Sequence, residues 1–125
     1  MSSDRADPTP IARWGEIWLT QFGTARGGEP GKNRPAVIIS TDAVSTGDNN
    51  PRELVLVVPL SSSVTPSLLR PTVKARPGLD QDSVAVILAT RGVARSRLLR
   101  RLAVLDDSTM GQITSLLSRT VNADR

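Results

Sequence analysis

Short apolar runs rich in β-branched residues, each closed by turn-forming residues, constrain this chain more than any other feature. Residues 34–40 (RPAVIIS), 53–60 (ELVLVVPL) and 83–88 (SVAVIL) are too short for stable helices and have the composition of buried strands. In residues 14–20 (WGEIWLT), Trp14, Glu16 and Trp18 share one side of a strand, and Ile17 and Leu19 the other. Residues 71–75 (PTVKA) read as a weaker strand, confined to an edge by Pro71, and 101–105 (RLAVL) as a further short one. Strands so spaced, with no long helix between them, predict a mainly β fold: a small, partly open antiparallel barrel. A helix closes the chain, with Asp106 or Asp107 as its cap and Met110, Ile113, Leu117 and Val121 on one face, that of a core or a dimer contact. A short helical turn is expected near residues 95–99.

A chain of 125 residues is expected to form one domain, over residues 13–122. Residues 1–12 are polar, carry two prolines and are expected to be a disordered tail. They lack the apolar stretch of a signal peptide, and no run reaches the 18 apolar residues of a membrane span, so a cytoplasmic location with no membrane partner is expected.

The chain has neither Cys nor His. That excludes disulfides, thiolate zinc sites, histidine acid–base catalysis and a Ser-His-Asp triad. Asp and Glu remain able to hold a hard cation. The net charge is +4, and of the sixteen basic residues only Lys32 and Lys74 are lysines. Arginine stays protonated and grips phosphate with two donors, so the excess points to a nucleic-acid or phosphate partner; an Arg-rich proteome gives the same composition.

Two loops stand out. Residues 21–33 (QFGTARGGEPGKN) hold four Gly and one Pro, long for a hairpin connection, and residues 61–70 (SSSVTPSLLR) form the second.

Four blocks then stand in order. The first is R-x-G-E-I-W, at Arg13, Gly15, Glu16, Ile17 and Trp18. The second is G-x-E-x-x-K-x-R-P with V-x-x-S, at Gly27, Glu29, Lys32, Arg34, Pro35, Val37 and Ser40, with Asp42 after it. The third is the V-V-P-L-S-S strand end at residues 57–62. The fourth is Asp82, Ser83 and Val84, then Arg91, then Ser96, Arg97 and Leu98, and an acidic helix start at Asp106. With these blocks the chain resembles the MazF/PemK toxins.

The resemblance implies a five-stranded CcdB/MazF-like barrel with a C-terminal helix and one or two short helices, usually a homodimer. It implies the toxin of a type II toxin–antitoxin system, an endoribonuclease that cuts single-stranded RNA without a metal or other cofactor. The products would carry a 2′,3′-cyclic phosphate and a 5′-hydroxyl, and a cognate antitoxin would hold the toxin in check, laying an acidic segment over the 21–33 loop and the Arg-lined groove. It places the catalytic pair at Arg34 and Ser61, Ser61 standing where Thr is commoner. Leu88 and Ala89 are apolar where family members often carry polar residues that touch the bases.

The residue types suit that chemistry. The RNA's own 2′-hydroxyl is the nucleophile, and charge gathers on the phosphorane. The Arg34 guanidinium can grip two phosphate oxygens, a kind of preorganised contact that supplies roughly 3–4 kcal/mol. Arginine's high pKa makes electrostatic stabilisation its role, rather than proton transfer. Ser61 can donate to a phosphate oxygen or relay a proton; Ser62 and Ser63 stand next to it and are alternatives for the same hydroxyl. Glu29 is a base, a partner of Arg34, or a solvated loop carboxylate. Gly27 and Gly28 let backbone approach RNA or supply turn geometry. The residues expected to contact RNA are Gly27, Gly28, Lys32, Ser62, Arg91 and Arg97. Arg95, Arg100 and Arg101 extend the basic run, which tracks phosphates or is a solvated face. Trp14 and Trp18 fill the core or a dimer interface, or stack bases. Two other readings remain: a non-enzymatic CcdB-like toxin that binds gyrase, and a degenerate MazF-like protein that binds RNA or antitoxin without cutting.

Overall fold

The computed structural model describes residues 11–23, 32–42 and 53–122. Its strands are β1 (Glu16–Gly23), β2 (Lys32–Ile38), β3 (Leu54–Ser61), β4 (Thr72–Val73), β5 (Ser83–Ala85), β6 (Arg91–Ala94) and β7 (Leu98–Val104), followed by helix α1 (Asp107–Val121). The five longer strands pair antiparallel in the order β6–β3–β2–β1–β7. Among the described residues β6 and β7 share no ladder, which leaves the curled sheet a partly open barrel. β5 continues the edge of β3 beyond β6, through Leu60↔Ala85 and Ser61↔Val84, and β4 pairs with β5.

The strand runs lack clean alternation because the sheet is buried on both faces. Val37, Val58 and Leu60 join Ile17, Ala103 and the helix residues Met110, Ile113 and Leu116 in one cluster. Their strand neighbours Ala36, Ile38, Val55 and Val57 join Val93 and Leu98 in the other, with Trp18 and Phe22 packed against it. A fully buried Val or Ile contributes about 1.5–3 kcal/mol, so these two strands do much to hold the barrel. Ala12 is fully buried in the second cluster, just before the first strand.

Three expectations need correction. The run 83–88 is not one strand: β5 ends at Ala85, and residues Ile87–Ala89 form a 3-10 turn. Thr90 makes that turn stable, since its amide and its hydroxyl both donate to the Ile87 carbonyl (3.1 and 2.6 Å). β6, in the run expected only as a basic stretch, is a strand because Val93 buries on the second cluster. On α1 the buried residues are Met110, Ile113 and Leu116, whereas Val121 is 77% exposed. The helix is rolled onto its 110–113–116 stripe, leaving Leu117 half-buried. The helical turn expected near 95–99 is the 3-10 turn Arg95–Arg97.

Asp106 caps α1. Its carboxylate accepts from the Thr109 amide at 2.9 Å, from Arg76 Nη1 at 3.0 Å, and from the Thr109 hydroxyl. The amide bond first, then Arg76, hold the carboxyl well below its ordinary value of 3.8. Protonating it breaks native contacts that the unfolded chain lacks, so its contribution is complete above about pH 4 and fades as pH falls further. Asp106→Asn keeps a good cap but cannot titrate. Thermal unfolding midpoints of this variant should fall less steeply below pH 4 than those of the parent; parallel acid limbs would refute the assignment.

Candidate active site

The first sequence block builds scaffold. Gly15 has φ +88°, a left-handed conformation that favours glycine. Its amide donates to the Ile38 carbonyl (2.9 Å) and its carbonyl accepts from the Leu105 amide (2.8 Å), which ties the end of β2 to the residue that follows β7. Glu16 is buried; its Oε1 accepts from the Arg13 amide (2.8 Å) and Trp18 Nε1 (3.0 Å), and its Oε2 pairs with Arg101 Nη1 (3.1 Å). Ser40 Oγ accepts from the Leu56 amide, and Asp42 Oδ1 from the Trp14 amide at 2.8 Å. Trp18 is thus half-buried, held by hydrogen bonding, and Trp14 is 39% exposed.

A cleft opens where the β2–β3 ladder ends. The last pair is Ala36↔Pro59. Pro35 and Pro59 have no N–H to give the ladder, and the strands part there. Arg34 on β2 and Ser61 at the end of β3 each lie two residues beyond that last pair. Both line a cleft of about 400 Å³. Asn33, Arg34 and Pro35 form one wall, and the β3 end from Leu60 to Ser63 forms the floor. The facing wall comes from Leu79, Asp80, Gln81 and Ser83.

Arg34 is exposed, and among the described residues its guanidinium has no hydrogen-bond or ion-pair partner. Ser61 is buried, with its Oγ 3.3 Å from both the hydroxyl and the amide of Ser63. The Ser63 amide donates to it, so the Ser61 hydroxyl is oriented despite lacking the second branch of a threonine. Ser62 also lines the cleft and is exposed. A guanidinium without a partner among the described residues, lining the same cleft as a hydrogen-bonded hydroxyl, can hold a phosphodiester and stabilise charge that develops on it.

The other expected residues fall elsewhere. Glu29, Gly27 and Gly28 lie outside the described residues, as do residues 1–10 of the expected tail. Lys32 is exposed at the start of β2 and is not among the cleft-lining residues. Arg91 lies over the Phe22 ring, 5.8 Å from its centroid. Arg97 Nη1 donates to the Gln21 carbonyl at 3.3 Å. Both therefore attach to the end of β1, and neither is among the cleft-lining residues. Arg95 is fully buried, and Arg101 is held by Glu16. Leu88 is exposed on the 3-10 turn, beside Leu68 and Leu69.

Ser63, an alternative for the hydroxyl, lines the cleft, and Asn33, Asp80 and Gln81 line it without having been expected there. Asp80 and Gln81 follow a tight turn in which Arg76 and Leu79 exchange both backbone hydrogen bonds (3.0 and 2.8 Å) around Pro77 and Gly78. The Pro-Gly pair is the available sequence signal, since it marks a turn that folds the next residues back. Asp80 adds a carboxylate to a cleft in a chain without histidine.

A family model described as PemK-like, MazF-like toxin of type II toxin-antitoxin system matches residues 13–121. The chain is similar to endoribonuclease MazF9 of Mycobacterium tuberculosis, 33% identical over 113 residues that span 86% of this chain and 93% of that protein. It is 29% identical to endoribonuclease MazF of Staphylococcus saprophyticus over 110 residues, 86% of this chain and 88% of that one. Its fold matches MazF in a MazE–MazF crystal structure from Deinococcus radiodurans, with TM-score 0.77 at 21% identity, covering 92% of this chain and 99% of that one. It also matches the Mycobacterium tuberculosis toxin MazF-mt6, with TM-score 0.68 at 21% identity, covering 88% and 99%.

Proposed function

The chain belongs to the PemK-like, MazF-like family of type II toxins, and on that premise we propose that it is an endoribonuclease that cleaves single-stranded RNA through Arg34 and Ser61. The observation that carries the reading is the shared cleft: a guanidinium without a partner among the described residues and a hydrogen-bonded hydroxyl line the same space past the end of the β2–β3 ladder. The 2′-oxygen loses its proton and attacks phosphorus, the P–O5′ bond breaks, and the 5′-oxygen takes up a proton. Arg34 neutralises the phosphorane oxygens. Ser61 donates to the phosphate or relays the proton, and Glu29 is a candidate base. The products are a 2′,3′-cyclic phosphate and a 5′-hydroxyl, with no metal or cofactor involved.

Gly27, Gly28, Lys32, Ser62, Arg91 and Arg97 remain the candidates for contact with RNA outside the reacting phosphate. The protein works in the cytoplasm as a homodimer and is neutralised by an antitoxin. Solved relatives in MazE–MazF complexes support that last point. Family membership disfavours the gyrase-binding alternative.

Ser61→Ala should lower the cleavage rate by about one to three powers of ten, with Ser62→Ala within a fewfold of the parent. Single-turnover rates on a defined RNA check both. A larger loss in Ser62→Ala than in Ser61→Ala transfers the hydroxyl's role to the neighbour.

A further inference from the structure

Attack by a 2′-hydroxyl needs a group that takes the proton from O2′. Arg34 stays protonated and cannot take it, and the chain has no histidine. Among the described residues that line the reactive cleft, Arg34 and Asp80 carry the only charges. Neither has a hydrogen-bond or ion-pair partner among the described residues. Opposite charges that share a cleft without pairing are held apart by the backbones that carry them.

The segment bearing Asp80 is fixed on both sides. Leu79 before it is buried in the first core cluster and exchanges two backbone hydrogen bonds with Arg76. After it, the Gln81 carbonyl accepts from the Ser83 hydroxyl (3.3 Å), and Asp82 Oδ1 accepts from the Ala75 amide (2.8 Å). The other charges around this segment are mostly engaged. Arg76 pairs with Asp106 at the start of α1 (3.0 Å), and Asp82 with Lys74, just after β4 (3.8 Å). The ends of β3 and β5 give the cleft Leu60 and serines, without charge. On β7, which the turn approaches at Leu102, Arg101 pairs with Glu16 (3.1 Å), and Arg100 is exposed without lining the cleft.

We propose that Asp80 is a catalytic residue, the general base that takes the proton from the 2′-oxygen beside the scissile phosphate. The inference rests on the ribonuclease reading and gives the proton-accepting step to Asp80 in place of Glu29. A carboxylate repels phosphate oxygens and accepts from a hydroxyl, so it serves the ribose of a nucleotide whose phosphate Arg34 holds. The O2′–H bond breaks and its proton passes to the carboxylate. The O2′–P bond forms as the P–O5′ bond breaks. The 5′-oxygen takes a proton from water, and Asp80 returns its own to the solvent.

The test follows single-turnover cleavage of a defined single-stranded RNA by the full chain, from acid to neutral pH. Asp80→Asn, nearly unchanged in shape, should lower the rate by about two powers of ten near neutral pH and remove the acid limb of the pH–rate profile. Asp80→Glu should keep that limb and lose less, and Glu29→Gln should keep it too. A 2′-deoxy version of the same strand, which carries no nucleophile, gives the second readout. Asp80→Asn should bind it as well as the parent does or a fewfold better, because a negative charge near the phosphates is gone. A folded Asp80→Asn protein that cuts at the parental rate overturns the proposal. So does a loss of rate matched by an equal loss of affinity for the deoxy strand, the mark of a structural role. An acid limb lost in Glu29→Gln and kept in Asp80→Asn moves the base to Glu29. If the parent leaves the RNA intact, the ribonuclease reading falls and this step with it; if parent and Asp80→Asn cut alike, the assignment of Asp80 falls alone.

Discussion

Arg34→Ala is expected to reduce RNA cleavage by at least two to three powers of ten, the loss typical of removing one preorganised donor to a developing oxyanion. The residue is exposed and, among the described residues, holds no other group. Its removal should therefore leave the fold and the unfolding midpoint close to those of the parent. Arg34→Lys separates charge from geometry. Lysine retains the cation but loses the planar fork, so most of the activity should still be lost. Cleavage rates measured with circular dichroism on the same samples check both points. A folded Arg34→Ala protein that cuts at the parental rate removes Arg34 from the reaction.

Gly78→Ala should be the most damaging single change to stability. Gly78 has φ +92°, and a Cβ placed there would stand 1.7 Å from the Leu102 carbonyl oxygen and 2.7 Å from its carbon. A left-handed L-residue costs about 1–2 kcal/mol by itself. Contact with backbone, which cannot step aside as a side chain can, adds more. The total should exceed about 4 kcal/mol, a large part of the roughly 5–15 kcal/mol that holds a domain folded. Denaturant or thermal unfolding should show a protein that is mostly unfolded, or one whose midpoint has fallen by about 10–20 °C. A midpoint within about 2 °C of the parent would show that the turn does not approach β7 this closely. The same turn leads into the wall at Leu79, Asp80 and Gln81, so its loss should deform the cleft as well.

The central strands were legible in the sequence because β-branched residues buried on both faces leave a plain signal: β2 (32–38) overlaps the run 34–40 but starts two residues earlier, and β3 (54–61) overlaps the run 53–60 and ends one residue later. β6 was hidden because only Val93 and Ala94 carry apolar surface between Arg91 and Arg95, and its pairing partner on β3 lies some forty residues earlier. The break after Ala85 depends on a threonine side chain bonding back to Ile87, a local contact that an apolar run masks. On α1, the spacing of apolar residues allows several stripes, and the packing of Met110 beneath Gly15 favours the one through Leu116. In the cleft, Arg34 and Ser61 were legible through the sequence blocks. Asp80 and Gln81 were not, since the fold of the 76–79 turn carries them there. For Arg91 and Arg97, read from the sequence as RNA contacts, the structure adds only local partners: Arg91 lies over the Phe22 ring and Arg97 donates to the Gln21 carbonyl.

The most direct measurement is to incubate the purified protein with a defined single-stranded RNA in excess EDTA and map both ends of each product. Arg34 and Ser61 acting on a 2′-hydroxyl nucleophile predict cuts at a repeated short motif, with 2′,3′-cyclic phosphate on one side and 5′-hydroxyl on the other. An RNA left intact, fragments ending in 3′-hydroxyl and 5′-phosphate, or cutting that stops when metal is removed would contradict it.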